Sequence, residues 1–373
     1  MSQKFLYLKV YNAIKEKITN QEYLPNEKLP TEQELSQQHQ VSKITVKRAL
    51  QMLRDDDYIY SIRGSGIYVM GSDSSPQKNT PTLPLTTTDH SNIITLTMPL
   101  NMNESSFTGT ITGVSQYLGE AGYFLNVRTG FKTINEEKGI LNQMYDTRVA
   151  GIIHFPLFPN KTINILNKLF IENFPIITLD RYVECLPISS ITTDNFKGGY
   201  DAVQYLLRLN HEKIGFLCDV GLEKFVSIRD RYLGYCQAMR EGSTLKSEWI
   251  HVGFNHGYLH KHNEKIMSNI VEDYKKNGIT AIFAANDRIA SFFILSALKL
   301  GYQIPDDFSI IGFDNDTTLN TIHSKQITTM SQQYDKIGKL AAHNIVNLIE
   351  GKTDNVKITV EAKLIEKETC IKR

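Results

Sequence analysis

Two sets of residues in this chain have the types and spacing to do chemistry. The first lies in residues 30–54, PTEQELSQQHQVSKITVKRALQMLR. Val46, Ala49, Leu50 and Leu53 recur at helical spacing, so Lys43, Thr45, Lys47, Arg48 and Gln51 point away from the apolar stripe they form. A helix built this way docks by its stripe. It offers cations to phosphates, and hydroxyl and amide groups to the edges of bases. The second set is scattered: Asp180 follows PIITL, Asn286 and Asp287 follow TAIFAA, Asp314 follows SIIGF, and Arg229 and Arg231 open the helical stretch after KIGFLC. Taken singly, an Asp or Asn after a strand is a helix cap. Carboxylates, an amide and a guanidinium meeting in one cleft are the acceptors and donors that grip the vicinal hydroxyls of a sugar.

The elements that must position the first set can be read in order. Leu6, Val10, Ile14 and Ile18 recur every four residues and predict an amphipathic helix ending near Asn20, before the turn-forming LPNEKLP. Thr31 with Glu34 three residues on predicts a capping box at the start of a second helix, and Ser42 predicts the cap of the third. After Asp55-Asp56-Asp57, the short aromatic and β-branched runs YIYSI and IYVM flank Arg63-Gly64-Ser65-Gly66, which predicts a β-hairpin. Its glycines let backbone approach DNA closely, while Arg63 reaches phosphate or the minor groove. Residues 71–91, GSDSSPQKNTPTLPLTTTDHS, are rich in Ser, Thr and Pro without apolar period and read as a flexible linker.

The elements for the second set alternate. The β-rich runs NIITLTM, YFLNVR, AGIIHF, PIITLD, SSITTD, KIGFLC, TAIFAA and FSIIGFD are separated by helical stretches, the rhythm of a doubly wound parallel sheet. Residues 92–373 are too many for one such sheet, which predicts two lobes. Ligands bind open α/β sheets beyond the carboxyl ends of the strands, where Asp180, Asn286 and Asp314 stand.

Composition narrows the classes. A chain of 373 residues with 41% hydrophobic residues can build two or three cores. A net charge of +1 requires that any positive face be local. The four cysteines, Cys185, Cys218, Cys236 and Cys370, carry no C-x-x-C pattern, so they read as reduced thiols of a cytosolic protein without a zinc site or disulfide framework. No apolar run reaches membrane-span length, and lysines break MSQKFLYLKVYNAIKEK before a signal-peptide core could form, so no membrane partner is expected. His251, His256, His260 and His262 cluster in HVGFNHGYLHKH without cysteines or dense carboxylates, and read as a solvated surface helix, not a metal site. Gly351-Lys352-Thr353 lacks the earlier P-loop glycine at Val346 and reads as a helix stop. No nucleophile, metal or cofactor constellation asks for an enzyme, and no cofactor is expected.

The order and wording of residues 24–69 resemble the winged helix-turn-helix of the GntR family of bacterial regulators. The family's Pro-Ser/Thr-Glu-x-Glu-Leu, Val-Ser-Arg-x-Thr-Val-Arg and Gly-x-Gly fall on residues 30–35, 41–47 and 64–66. Lys43 and Lys47 replace two family arginines, which keeps phosphate attraction and gives up the bidentate fork that reads guanine. The resemblance implies a DNA-contacting set of Lys4, Glu32, Ser42, Lys43, Thr45, Lys47, Arg48, Arg63, Gly64, Ser65 and Gly66. Residues 92–373, through stretches such as TTDNFKGGYDAVQYLLRLNHEKIGFL and AIFAANDRIASFFILSALKLGYQIPDDFSIIGFDN, resemble the effector domain of the LacI/GalR regulators, with its periplasmic sugar-binding-protein fold. That resemblance implies effector contacts at Asp180, Arg231, Asn286 and Asp314, and chain crossings between lobes after Asp194, near residues 317–320 and around residues 331–333.

The expected architecture is thus an α+β winged helix-turn-helix domain over residues 1–70, a linker over 71–91, and an α/β two-lobed periplasmic-binding-protein-like domain over 92–373. Such a fusion is the arrangement of the arabinose repressors of Gram-positive bacteria. The resemblance implies a cytoplasmic homodimer that holds double-stranded operator DNA with its two recognition helices about one DNA turn, or a multiple, apart, and lets go when L-arabinose closes the lobes. Another sugar or sugar phosphate as effector, a solute-binding protein for transport, and an enzyme on the same scaffold are the alternatives.

Overall fold

The computed structural model describes residues 6–20, 22–24, 26–55, 58–62, 65–70, 92–100, 102–254, 261–321 and 325–373. Lys4, Arg63 and Gly64, the linker 71–91, and His256 and His260 lie outside the described residues. Contacts divide the chain into two units, Met1–Thr88 and Asp89–Arg373.

In the amino-terminal unit, helices α1 (Leu6–Thr19), α2 (Glu32–Gln38) and α3 (Lys43–Asp55) precede an antiparallel hairpin of β1 (Ile59–Ile62) and β2 (Gly66–Val69). The apolar stripes meet as their periods require: Val10, Ile14, Leu35, Val46, Leu50, Leu53, Ile59 and Val69 form one buried cluster. Both predicted caps form. The Glu34 N–H donates to Thr31 Oγ1 at 3.3 Å while the Thr31 N–H donates to the Glu34 carboxylate at 2.7 Å, and the Thr45 N–H donates to Ser42 Oγ at 3.2 Å. Gly66 holds a φ of +140°, and a Cβ there would meet Lys28 Cε at 2.6 Å, so glycine is required at this end of the hairpin.

The second unit contains two six-stranded sheets. The first runs in the order β13 (Lys357–Val360), β7 (Ser189–Thr193), β6 (Ile176–Leu179), β5 (Gly151–His154), β3 (Ile93–Pro99), β4 (Phe124–Phe131), every pair parallel. The second runs β14 (Lys363–Ile365), β12 (Thr328–Ser331), β11 (Ser309–Phe313), β10 (Ala281–Ala284), β8 (Ile214–Cys218), β9 (Ile250–Val252), parallel except for β14 against β12. Central strands covered by helices on both faces read as apolar runs, as in β3, β5, β6, β8, β10 and β11, and all eight predicted strands are found. Strands β9, β12, β13 and β14 were not predicted. They are short and half polar, and neighbours, not periodicity, hold them: buried Thr328 and Thr329 of β12 satisfy their hydroxyls with the Lys367 N–H and Asp287.

The first lobe takes α4 (Glu104–Glu120), α5 (Ile134–Asp146), α6 (Ile163–Ile171) and α11 (Tyr334–Ile349); the second takes α7 (Asn195–Arg208), α8 (Val226–Gly242), α9 (Lys261–Lys276) and α10 (Asp287–Lys299). The chain crosses between lobes after Thr193, at residues 332–333 between β12 and α11, and at residues 361–362 between β13 and β14. The crossing expected near residues 317–320 is corrected. Strands β11 and β12 on either side of it are parallel neighbours in one sheet, so the 3₁₀ turn Thr317–Thr321 between them returns to the lobe it left. His251 also departs from expectation: it is half-buried on strand β9, with its ring edge-on to Tyr274 at 4.9 Å, not on a solvated helix.

Helices α4 and α11 pack backbone to backbone. A Cβ at Gly113 would stand 2.0 Å from the Asp335 carbonyl oxygen, and one at Gly338 2.4 Å from that of Thr110. Gly119, in the same helix α4, has open space around it. Gly113→Ala is therefore expected to destabilise the second unit by about 1–3 kcal/mol through overpacking. Gly119→Ala is expected to be neutral or to stabilise by up to about 1 kcal/mol through helix propensity. Paired thermal melts followed by circular dichroism check the contrast.

Candidate nucleic-acid face and inter-lobe cleft

Helix α3 buries Val46, Ala49, Leu50 and Leu53 completely and turns Lys43, Lys47, Arg48 and Gln51 to solvent, with Ser42 exposed at its cap and Thr45 half-buried. The cations on this face are held differently. Lys43 Nζ donates to Gln33 Oε1 at 3.1 Å, tying α3 to α2. The Arg48 guanidinium stacks on the Tyr7 ring of α1 at 4.1 Å, which orients it while leaving its donors at the surface. Glu32, half-buried, opens α2 and adds its charge to the helix's amino-terminal end. At the hairpin, exposed Ser65 bonds Tyr68 Oη at 2.6 Å, and Lys28 lies across Gly66. Lys28 beside the hairpin and Ile44 on α3 were not singled out in the sequence. Lys28 lies in a turn-forming stretch, and an apolar side chain between lysines carries no signal in composition.

The second unit carries a cleft of about 820 Å³ between its lobes, and Asp180, Arg231, Asn286 and Asp314 all line it. Asp180 sits in the left-handed region at φ +61° immediately after β6, where the chain bends out of the sheet. Its carboxylate is 3.4 Å from Arg181 Nε, and Arg181 donates through Nη1 to the Pro156 carbonyl at 3.0 Å. Across the cleft, the Arg181 guanidinium stacks on Phe225 of the other lobe at 3.9 Å. Burial lowers the Arg181 pKa, against the pull of Asp180.

Arg231, on α8, is only 3% exposed. Its Nε donates to Asn195 Oδ1 at 2.8 Å, and its Nη1 donates to the Ala285 carbonyl at 2.7 Å. The same Nη1 stands 3.6 Å from Asp314, and the guanidinium carbon lies 3.7 Å from the centre of the Phe313 ring. Asn286 caps α10, accepting the Ile289 N–H at 2.9 Å through Oδ1, which leaves its amide NH₂ as the donor for the cleft. The helix-cap and ligand-facing readings of this residue are therefore compatible. Asp314 accepts from Gln332 Nε2, and Gln332 Oε1 accepts from Thr193 at 2.7 Å, so the chain's first two crossings are joined to the cleft floor. Burial pushes the Asp314 carboxyl up to about 6, with Asp180 and Asp316 adding to the rise and Arg231 and Gln332 opposing it.

Two neighbours singled out in the sequence do not line the cleft. Arg229 pairs at the surface with Glu184 at 2.8 Å. Asp287 is buried beneath the cleft, accepting from the Asp316 N–H at 2.8 Å and Thr329 Oγ1 at 2.7 Å, and burial raises its pKa far above the usual carboxylate range. The sequence in turn missed Arg181, Phe225, Gln332 and Tyr334, which line the cleft. Arg181 adjoins a residue that was singled out, but the others come from crossing segments and loops whose placement no local pattern announces. Among the described residues no cluster of His, Cys, Asp and Glu could hold a metal ion.

Fold and comparisons together define a class: a transcription regulator in which a gntR-type helix-turn-helix is joined to a periplasmic-binding-protein-like α/β body. Residues 6–69 match the family described as bacterial regulatory proteins, gntR family, and residues 203–370 match the periplasmic binding protein-like domain. The chain is similar along almost its whole length to proteins named arabinose metabolism transcriptional repressor. That of Halalkalibacterium halodurans is 28% identical over 358 residues, 94% of this chain and 90% of that protein. That of Geobacillus stearothermophilus is 28% identical over 363 residues, 94% of this chain and 93% of that protein. Among solved structures, a transcriptional regulator CelR–cellobiose complex aligns with a TM-score of 0.64 at 19% identity, covering 89% of this chain and 92% of that one.

The raised Asp314 carboxyl has a stability consequence of definite sign. A carboxyl whose folded pKa, about 6, exceeds its ordinary value of 3.8 contributes stability that is full below pH 3.8 and lost as pH rises through 6. The loss is on the order of 3 kcal/mol for two pKa units. Buried Asp287 acts in the same direction. Melting temperatures of the ligand-free protein from pH 4 to 7 should therefore fall more steeply for the wild type than for Asp314→Asn, the difference between the two curves reporting this carboxyl together with its influence on Asp287.

Proposed function

We propose that this protein represses sugar-utilisation genes by binding operator DNA as a homodimer through α3 and the β1–β2 hairpin, and that a sugar entering the inter-lobe cleft, L-arabinose foremost, releases it. The observation that carries the reading is the convergence of Asp180, Arg231, Asn286 and Asp314, from both lobes, in one cleft of a chain with a gntR-type head. Carboxylate acceptors and buried guanidinium and amide donors match the alternating needs of sugar hydroxyls. The similarity to arabinose metabolism repressors over 94% of the chain supports both the gene class and the sugar.

In this reading the lobes move about the three crossings. A ligand held by Asp180 on one side and by Arg231, Asn286 and Asp314 on the other favours the closed arrangement, and pairing of the bodies sets the distance between the two heads. A coupling of roughly 1–3 kcal/mol changes operator affinity by about 5- to 150-fold. A sugar phosphate is the second reading, and Lys224 and Arg288 on the cleft wall favour it.

A gel-shift titration on the promoter next to the gene, at fixed salt, is expected to show retarded DNA released by L-arabinose. Retardation insensitive to arabinose but sensitive to another sugar or a sugar phosphate would move the effector assignment and leave the head's role standing. Arg231→Ala is expected to retain operator binding and lose at least tenfold in sugar response, because the substitution removes a buried donor from the cleft. Lys47→Ala is expected to weaken operator binding and lower its salt dependence, with sugar affinity measured by calorimetry unchanged.

A further inference from the structure

Among the large apolar side chains of the described residues, Ile44 is the most exposed, at 82%. Its position is not arbitrary. At about 100° per residue, the direction of Ile44 on α3 is nearly diametric to the mean direction of Val46, Ala49, Leu50 and Leu53, the stripe that docks the helix. It therefore stands on the outermost line of α3, one turn before Arg48 and two before Gln51. It is also the second residue of the helix, whose first turn is capped by Ser42. The cations beside it, Lys43 and Lys47, provide charge complementarity to phosphates on either side of a groove. Among the described residues Ile44 is not part of the head's apolar cluster, and on the line of α3 that faces away from that cluster an apolar side chain is suited to an apolar group on bound DNA.

The major groove offers few apolar groups. Of the four bases only thymine presents one at its edge, the C5-methyl, and side chains that meet it are apolar. We propose that Ile44 is a specificity-determining residue of the head: it packs against the C5-methyl of one thymine in each operator half-site, selecting thymine at that position without a hydrogen bond. The proposal deepens the reading of α3 as the DNA-reading helix and rests on it. It also supplies a base discriminator where the lysines at 43 and 47 act as phosphate-seeking point charges.

The test uses the full-length protein and a promoter fragment that the wild type retards. Each thymine of the footprinted site is replaced in turn by deoxyuridine, which removes only the methyl. For the wild type, one position per half-site is expected to lose about 4-fold in affinity, the worth of burying one methyl group, and the two together about 15-fold. For Ile44→Ala the same uracil substitutions are expected to change affinity by less than 2-fold, and Ile44→Val should restore most of the discrimination. Because Ile44 is solvent-exposed, its substitution should leave the melting temperature unchanged. Failure of the wild type to retard any promoter fragment would overturn the DNA-reading assignment itself. Retardation with no uracil-sensitive thymine, or with the same sensitivity in Ile44→Ala, would overturn the role of Ile44 and leave that assignment intact.

Discussion

The body of this protein is organised around a charge that has lost its water. Arg231 is buried, and a buried guanidinium is tolerated only when its donors are taken and its charge is answered. Asn195, at the first crossing between lobes, takes one donor; the Ala285 carbonyl, just past β10, takes another; Asp314, just past β11, supplies the countercharge; and Phe313 offers its ring face. The same contacts that make the cation tolerable also clamp α8 to the strand ends that form one cleft wall. Displacing any of them exposes the others to the desolvation they jointly offset.

The cleft is wired to the crossings by the same economy of buried polar groups. Thr193 ends β7 in one lobe and donates to Gln332, which follows β12 of the other, and Gln332 in turn donates to Asp314. Asp314 therefore stands at once in the cleft lining and on the hydrogen-bonded path to the crossing. On the facing wall, Arg181 reaches over to Phe225 while tied to Asp180 and Pro156. Cleft and crossings therefore share atoms, which is the physical requirement for binding to become movement.

In the head the governing constraint is division of one short helix between two solvents. The stripe of α3 that packs under α1 and α2 leaves a single face to solvent, and neighbouring helices already steer two of its cations, Lys43 through Gln33 and Arg48 through Tyr7. Side chains held in this way lose less freedom in any further contact they make.

Much of this was legible in the sequence because local chemistry dictates it. The period of Val46, Ala49, Leu50 and Leu53 determined which face of α3 is buried; Thr31 and Glu34 determined a capping box; the apolar runs determined the central strands covered on both faces; and the positions just after those runs determined Asp180, Asn286 and Asp314 as cleft residues. What only the tertiary structure decided is what depends on neighbours distant in the chain. Strands β12, β13 and β14 carry too few apolar residues to announce themselves and exist because adjacent strands complete their hydrogen bonds. The crossing expected around residues 331–333 is found, but the one expected near residues 317–320 is replaced by one at 361–362, because sheet membership, not helix or loop propensity, determines where a chain changes lobe. Asp287 and Asp314 both follow a strand, yet one is sealed beneath the cleft and the other lines it, and Arg229 and Arg231 are two residues apart on one helix with one at the surface and one buried. No pattern of residue types separates such pairs, since the difference lies in the direction a side chain takes once the second lobe is in place.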